Sequence, residues 1–317
     1  PAPAAGRGRN AVREDAAEVG RHAQGAADVG ATVYVCAMEE GHEEEVVIDK
    51  SVSLEGPGTD DLLLVAPINT QAVSISADDV TVSGLSIDTT RSGIRIESAA
   101  SVSLSDIVIT GAGNWGVSAN EATDLVMQNL VLTGNSYGGI QVAGGSASLS
   151  SSTLSENTAY GIFATDGATL SVWENTISGT LPVDPEEVDD GIGIFAEEES
   201  SVSLQGNEMT DNSLVHVMTD QSDLSMDGDA LMGGANGTWT TYGTVQIEGV
   251  TVTDATRFGI YANTTDPVEL SSVHITGDRE TTIEVLDEDW ASDEQGYSGT
   301  GIAIISDDVT ISETTVE

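Results

Sequence analysis

Beyond residue 30 the chain alternates apolar and polar positions almost without pause, and small polar corners break the alternation at regular places. In residues 101–111 (SVSLSDIVITG), Val102, Leu104, Ile107 and Ile109 are apolar and most of their neighbours are Ser, Asp or Thr. That is the signature of a strand with one buried face. The same template fits 124–134 (DLVMQNLVLTG), 201–211, 244–254 and 267–277. Val, Ile, Thr and Ser dominate and Gly interrupts every turn, so a helical reading fails.

The alternation is organised by a repeat. A Gly followed by Ile or Val returns at Gly93, Gly116, Gly139 and Gly161, at steps of 23, 23 and 22 residues, and again at Gly193, Gly259 and Gly301. A fixed period of this size marks stacked units that cannot bury an apolar face alone. The strand after each Gly places Ile94 and Ile96, Val117 and Ala119, Ile140 and Val142, Ile162 and Ala164, Ile194 and Ala196, Val215 and Val217, Ile260 and Ala262, and Ile302 and Ile304 inward. Each coil then holds about three strands. Every strand pairs in parallel with its equivalent one coil on, at ~4.8 Å, around a narrow aliphatic core.

With these Gly-Ile/Val strand starts and the corners at Asp106, Asn129, Asn175 and Asn207, residues 31–317 resemble the right-handed parallel β-helix repeat family of the pectin-lyase-like superfamily. The segment 31–58 (ATVYVCAMEEGHEEEVVIDKSVSLEGPG) is similar to the opening coil common in that family. The resemblance implies an all-β, right-handed parallel solenoid of about ten coils. It does not imply one chemistry, because the scaffold hosts many.

The ends predict different things. Val12, Ala16, Val19, Ala23 and Ala26 recur at helical spacing between Asn10, a suitable N-cap, and Gly30, a suitable stop, so residues 1–30 predict a leader with a short capping helix over the first coil. At the other end the sequence stops at 314–317, directly after a strand-like stretch at 307–312. That predicts a last coil covered by a continuation of the chain or by end-to-end self-association.

Charge narrows the partners. Nine Lys+Arg against 53 Asp+Glu give a formal net charge of −44, and Lys50 is the one lysine. Phosphate contact needs clustered cations, so nucleic acid and anionic membranes are excluded as expected partners. No apolar run is long enough to span a bilayer. The composition suits an extracellular or cell-surface protein in salt or among divalent cations. Cys36, the single cysteine, forms no internal disulfide and reads as a small buried hydrophobe.

Departures from the repeat locate the candidate binding face. Extra residues fall near 179–191 and 279–299, both just before a Gly-led strand, and 232–243 reads as a poorly matching coil with a loop. Solenoid insertions collect on one face, often the binding face. The first outward residues there are Arg95, Ser118, Gln141, Phe163, Phe195, His216 and Tyr261, with Trp115, Tyr137, Tyr160 and Phe258 at the neighbouring corner. Only 4% of the chain is aromatic, so this concentration makes Phe163, Phe195, His216, Tyr261, Trp115, Tyr137 and Tyr160 the candidate ligand contacts. Such a surface suits sugar stacking, although aromatic ladders also simply stabilise parallel sheets.

The acidic insertions offer Asp184, Asp189 and Asp190 and then Asp287, Asp289 and Asp293 as candidate calcium ligands. Solvated loops explain the same residues in so acidic a chain.

Enzymes of the resembled family carry recognisable signatures. The Asn-Thr-Asp, Gly-Asp-Asp and Gly-His-Gly runs of polygalacturonase-like enzymes and the Asp-Pro-His run of mannuronan epimerases do not occur. The resemblance to lyases implies an Arg or Lys base beside calcium, and Arg95 is the one basic residue clearly on the face. The sequence therefore predicts a non-catalytic spacer, adhesin or assembly subunit that needs no cofactor, with calcium, polysaccharide or surface proteins as its candidate contacts. The alternative is a lyase, glycoside hydrolase or epimerase using His216, Asp189, Asp190 and Arg95, which would require His216 or Arg95 within hydrogen-bond reach of a carboxylate.

Overall fold

A computed structural model of the chain describes residues 11–14, 28–37, 41–61, 63–184, 190–277, 283–285, 300–306 and 308–317. Among them there is no helix, and the strands wind as a three-faced parallel solenoid. Leu104 lies between Val82 and Met127, Ile109 between Ile87 and Leu132, and Val117 between Ile94 and Ile140. One continuous aliphatic core results, running from Ala31 to Ile304.

The expected capping helix is not seen. Residues Ala11–Glu14 form a strand paired in parallel with Thr32–Val35, and 15–27 lie outside the described residues. Parallel pairing gives the first coil's edge backbone partners, which the helix had been expected to shield. At the far end, Ile283–Val285 pairs with Thr300–Ile305, placing Ile283 on Ile302 and Val285 on Ile304. The second insertion thus contributes a further strand to the Gly-led sheet, beyond Thr300–Ile305.

Corners and polar ladders fix the coil shape. Asp106, Asn129, Ser151 and Glu174 adopt φ of 54°, 53°, 50° and 56° at equivalent corners. Asn175 and Asn207, expected at corners, stand one residue inside instead and are buried. The amide oxygen of Asn175 accepts from Ser152 N at 2.9 Å and that of Asn207 from Asn175 N at 3.0 Å. Their Nδ2 groups donate to the carbonyls of Leu149 and Val172 at 3.1 and 2.9 Å. Stacked Asn side chains thereby satisfy backbone groups that a tight corner would leave unpaired.

The repeating glycine has a steric cause. In the Gly-led sheet Trp115 pairs with Gly138 and Val117 with Ile140, so the ladder steps over Gly116. The glycine faces the core, while the residue before it faces out. A Cβ on Gly139 would lie 2.6 Å from the Gly161 carbonyl oxygen and 3.0 Å from the Leu154 side chain. Replacing Gly139 by Val is expected to cost about 2–3 kcal/mol by overpacking, read as a lower urea midpoint. An unchanged midpoint would show that the coil has slack at this step.

Two expectations fail in the middle of the rod. Val215 pairs with Ile192 and Val217 with Ile194, so Val217 and Thr219 face inward, and His216 takes the glycine's place. Residues 232–243 are a regular coil whose strand Asn236–Thr241 pairs with Val215–Asp220 and Phe258–Asn263. Its inward positions are Thr238 and Thr240, both buried. Thr219 Oγ1 donates to Thr240 Oγ1 at 3.0 Å, so these two hydroxyls pair within the column, while Thr238 Oγ1 is buried without a partner.

Candidate glycan-contact face

The outer surface of the Gly-led sheet carries two adjacent columns of large side chains. One, from the positions just before the glycines, runs Trp115, Gly138, Tyr160, Ile192, Val215, Asn236 and Phe258. The other, two ladder steps on, runs Ser118, Gln141, Phe163, Phe195, Met218, Trp239, Tyr261 and Ala303. Phe163, Phe195, Met218, Trp239 and Tyr261 therefore occupy five successive coils. At ~4.8 Å per coil they span about 20 Å.

The rings pack as two clusters. Trp115 lies over Gly138, where a Cβ would come within 2.1 Å of the indole, and stacks on Tyr160 and Phe163 with centroids 6.2 Å away in each case. Phe163 continues onto Phe195 at 5.5 Å and Tyr160 onto Phe195 at 5.9 Å. Tyr137, 46% exposed, meets Trp115 edge-on at 5.1 Å. Further along, Trp239 contacts Tyr261 at 4.7 Å and Phe258 at 6.3 Å. Met218 bridges the two clusters in the outer column and is half-buried, as are Tyr160, Phe163, Phe195 and Trp239. The clusters lie outside the rod's main core: Trp115, Phe258 and Tyr261 are buried in them and the other rings are half-buried or exposed, and such stacking also stabilises the sheet.

Carboxylates border the strip. Glu197 and Asp220, both half-buried, follow Ala196 and Thr219, which are paired across adjacent coils. Burial holds the Glu197 carboxyl above its ordinary range, aided by the negative charges of Glu198, Asp220 and Asp166. Burial likewise raises the Tyr160 phenol, with Tyr137, Asp190 and Glu197 adding to it. Beside the strip, Glu97, Glu121 and Asp166 line a cavity of about 540 Å³ along the corner that follows the sheet. Thr241 Oγ1 donates to Asp220 Oδ1 at 2.7 Å.

The remaining predicted residues do not converge. His216, expected outward, is fully buried: its Nδ1 meets Asn212 Nδ2 at 2.9 Å and its Nε2 meets the Gly233 carbonyl at 3.0 Å. Since the carbonyl can only accept and the amide nitrogen only donate, this network fits the neutral Nε2–H tautomer. Burial lowers its pKa. With both nitrogens engaged inside the rod, His216 is part of the corner and offers nothing to a substrate.

Arg95 does reach a carboxylate, Glu97, and that same oxygen accepts from Asn120 Nδ2 at 2.9 Å. Asp190 Oδ1 accepts from Val183 N at 2.9 Å at the base of the first insertion. Asp184 is exposed, whereas Asp189, Asp287, Asp289 and Asp293 lie outside the described residues. Among the described residues no three His, Cys, Asp or Glu side chains gather as a metal site. Cys36, expected buried, is exposed. The sequence reading missed Met218, Trp239, Ile192, Val215 and Asn236. The signal for two of them, Asn236 and Trp239, was the Asn-Gly-Thr-Trp run at 236–239, a Gly-led strand start with Thr in place of Ile.

A coiled three-faced rod with this repeat defines a class, and the family described as "right handed beta helix region" matches residues 68–183 and 92–289. The chain belongs to that family. Comparison with curated proteins gives no match. Among solved structures, a family 28 exopolygalacturonase of Yersinia enterocolitica aligns with a TM-score of 0.60 at 8% identity, covering 94% of this chain and 72% of that one. The enzymatically active domain of tailspike protein 2 of bacteriophage CBA120 gives 0.55 at 9% identity, covering 89% and 43%. The A-module of a mannuronan C-5 epimerase of Azotobacter vinelandii gives 0.53 at 12% identity, covering 92% and 93%. At these identities the likeness establishes the fold alone. No helix among the described residues is long and apolar enough to cross a membrane.

Proposed function

We propose that the protein is a non-catalytic β-helical rod of the cell surface or extracellular space that binds a polysaccharide along the outer face of its Gly-led sheet. The observation that carries this reading is the run Phe163, Phe195, Met218, Trp239 and Tyr261 on five successive coils, backed by Tyr160 and Phe258. Stacked rings at the spacing of the coils offer an extended glycan a series of apolar platforms. Polysaccharide-acting proteins and a tailspike among the structural neighbours are compatible with it.

Affinity electrophoresis in gels containing soluble polysaccharides tests the reading. Retardation is expected for the native chain, and Phe195→Ala or Trp239→Ala should each weaken it about tenfold, a loss of ~1–3 kcal/mol per stacking ring. Unretarded migration in every glycan would defeat it.

Two observations favour the enzymatic alternative: Arg95 pairs with Glu97, which lines the cavity beside the strip, and Glu197 and Asp220 sit on adjacent coils beside Phe195 and Met218, paired carboxylates being what glycoside hydrolysis uses. Release of soluble sugar by the native chain, lost in Glu197→Gln, would establish it over the binding role.

A further inference from the structure

The rings of the outer face stand beside carboxylates carried by the same strands. Glu197 lies two residues beyond Phe195, and Asp220 two residues beyond Met218, on coils that pair directly. Two residues along a strand span ~7 Å and return to the same face, so both carboxylates border the ring column on its outer side. Both are half-buried. At the corner one residue further, the exposed Asp166 and Glu198 are hydrogen-bonded to one another, which raises the Asp166 carboxyl. None of these four carboxylates has an ion-pair partner among the described residues. Arg95 is held by Glu97, three coils before Phe163, and Arg257 lies exposed at the corner before Phe258.

A ligand lying on the rings takes water from these carboxylates, so its charge decides how well it binds. A uronate chain would set like charges together in a partly desolvated strip. A neutral sugar would cover the carboxylates without a counter-charge. An ammonium group brings the opposite charge and three N–H donors, and it is also drawn to the faces of aromatic rings. Rings and carboxylates, alternating along the same strands, therefore select the same group. The ~7 Å between their columns is a span that a stacked sugar, its amino substituent and one hydrogen bond can cover.

Resting on the reading of this face as glycan-binding, we infer that its ligand is a polysaccharide carrying free amino groups, stacked along Phe163, Phe195, Met218, Trp239 and Tyr261 with its ammonium groups on Glu197 and Asp220.

The test measures binding of the full chain to glycol chitosan and to its N-acetylated form, glycol chitin, which share a backbone and differ in charge. A mildly acidic buffer keeps the amines and most carboxylates ionised, and polygalacturonate and polylysine serve as further probes. The native chain should bind glycol chitosan at least about tenfold more tightly than glycol chitin. Glu197→Gln/Asp220→Asn, which keeps the Oδ1 that accepts from Thr241, should erase most of that preference without lowering the melting temperature. Glu248→Gln/Glu269→Gln makes the same charge change at exposed positions of a different sheet. It should leave the preference nearly intact, although a rod of this net charge attracts any polycation weakly.

Equal losses from the two double variants would show attraction to the whole acidic rod and overturn the assignment. Equal or tighter binding of glycol chitin or polygalacturonate, abolished by Phe195→Ala, would leave the glycan face standing and remove its cationic class. Tighter Phe195-dependent binding of polylysine would make the partner a basic polypeptide, and no binding to any glycan would remove the glycan reading itself. In both of those cases this inference falls with it.

Discussion

Ile140→Asp is expected to leave no folded protein. Ile140 is fully buried and lies between Val117 and Ile162 in the central column of the Gly-led sheet. The core is only a few side chains wide, so a carboxylate there has no route to water and no cation within the aliphatic cluster. Burying an unpaired charge costs several kcal/mol even after the group takes up a proton, a large fraction of the ~5–15 kcal/mol that holds a typical protein together. Solenoids are stabilised by contacts between neighbouring coils, so the damage falls on both adjoining interfaces. Expression of the variant should give insoluble or protease-sensitive chain. A soluble variant with native circular dichroism and melting temperature would sink the register described above.

The second large effect runs the other way. Asp229 ends the ladder of Asn175 and Asn207, with its Oδ1 accepting from Asn207 N and Nδ2, both at 2.8 Å. Its Oδ2 is buried without a partner. Desolvation pushes this carboxyl up to about 6, against the opposing pull of the Asn207 donors. A folded-state pKa above the unfolded value of ~3.9 means that stability is undiminished in acid, falls as pH rises from about 4 to 6, and stays reduced above that.

Asp229→Asn should remove the loss. In the preceding rungs Asn Nδ2 reaches the carbonyls of Leu149 and Val172, and the next carbonyl in that series belongs to Leu204. An amide at 229 can donate to it. The variant is expected to be more stable by about 2 kcal/mol above pH 6.5 and no more stable below pH 4, as read from urea unfolding across that range. An equal gain at every pH, or a loss at neutral pH, would mean that Asp229 is not the strained end of the ladder.

Much of this architecture is written in local pattern. The alternation in 101–111 assigns Val102, Leu104, Ile107 and Ile109 to the core, and all four are buried. The recurrence of Gly before Ile or Val marks where backbone and core come closest, and the GIGIF and YGIFA runs put Phe195 and Phe163 outward, where they stack. Local pattern failed at residues 214–218. There LVHVM repeats the apolar-x-apolar frame of IGI, and a period of two fixes the face of a strand without fixing which rung it occupies. A slip of two residues turned His216 from a substitute for glycine, packed against Asn212 and Gly233, into an apparent surface group.

By itself, then, the sequence determined the coil period, the inward and outward sides of most strands and the aromatic richness of one face, because each depends on residues a few positions apart. Which side chains became neighbours across coils was decided by the tertiary structure, since that depends on the exact length of every intervening turn. Only stacking set Trp239 between Met218 and Tyr261, let Thr219 and Thr240 satisfy one another inside an aliphatic core, and left Asn236 Oδ1 and Asp229 Oδ2 buried without partners. The candidate site is made of such contacts between residues about 22 positions apart, and no local run of sequence contains them.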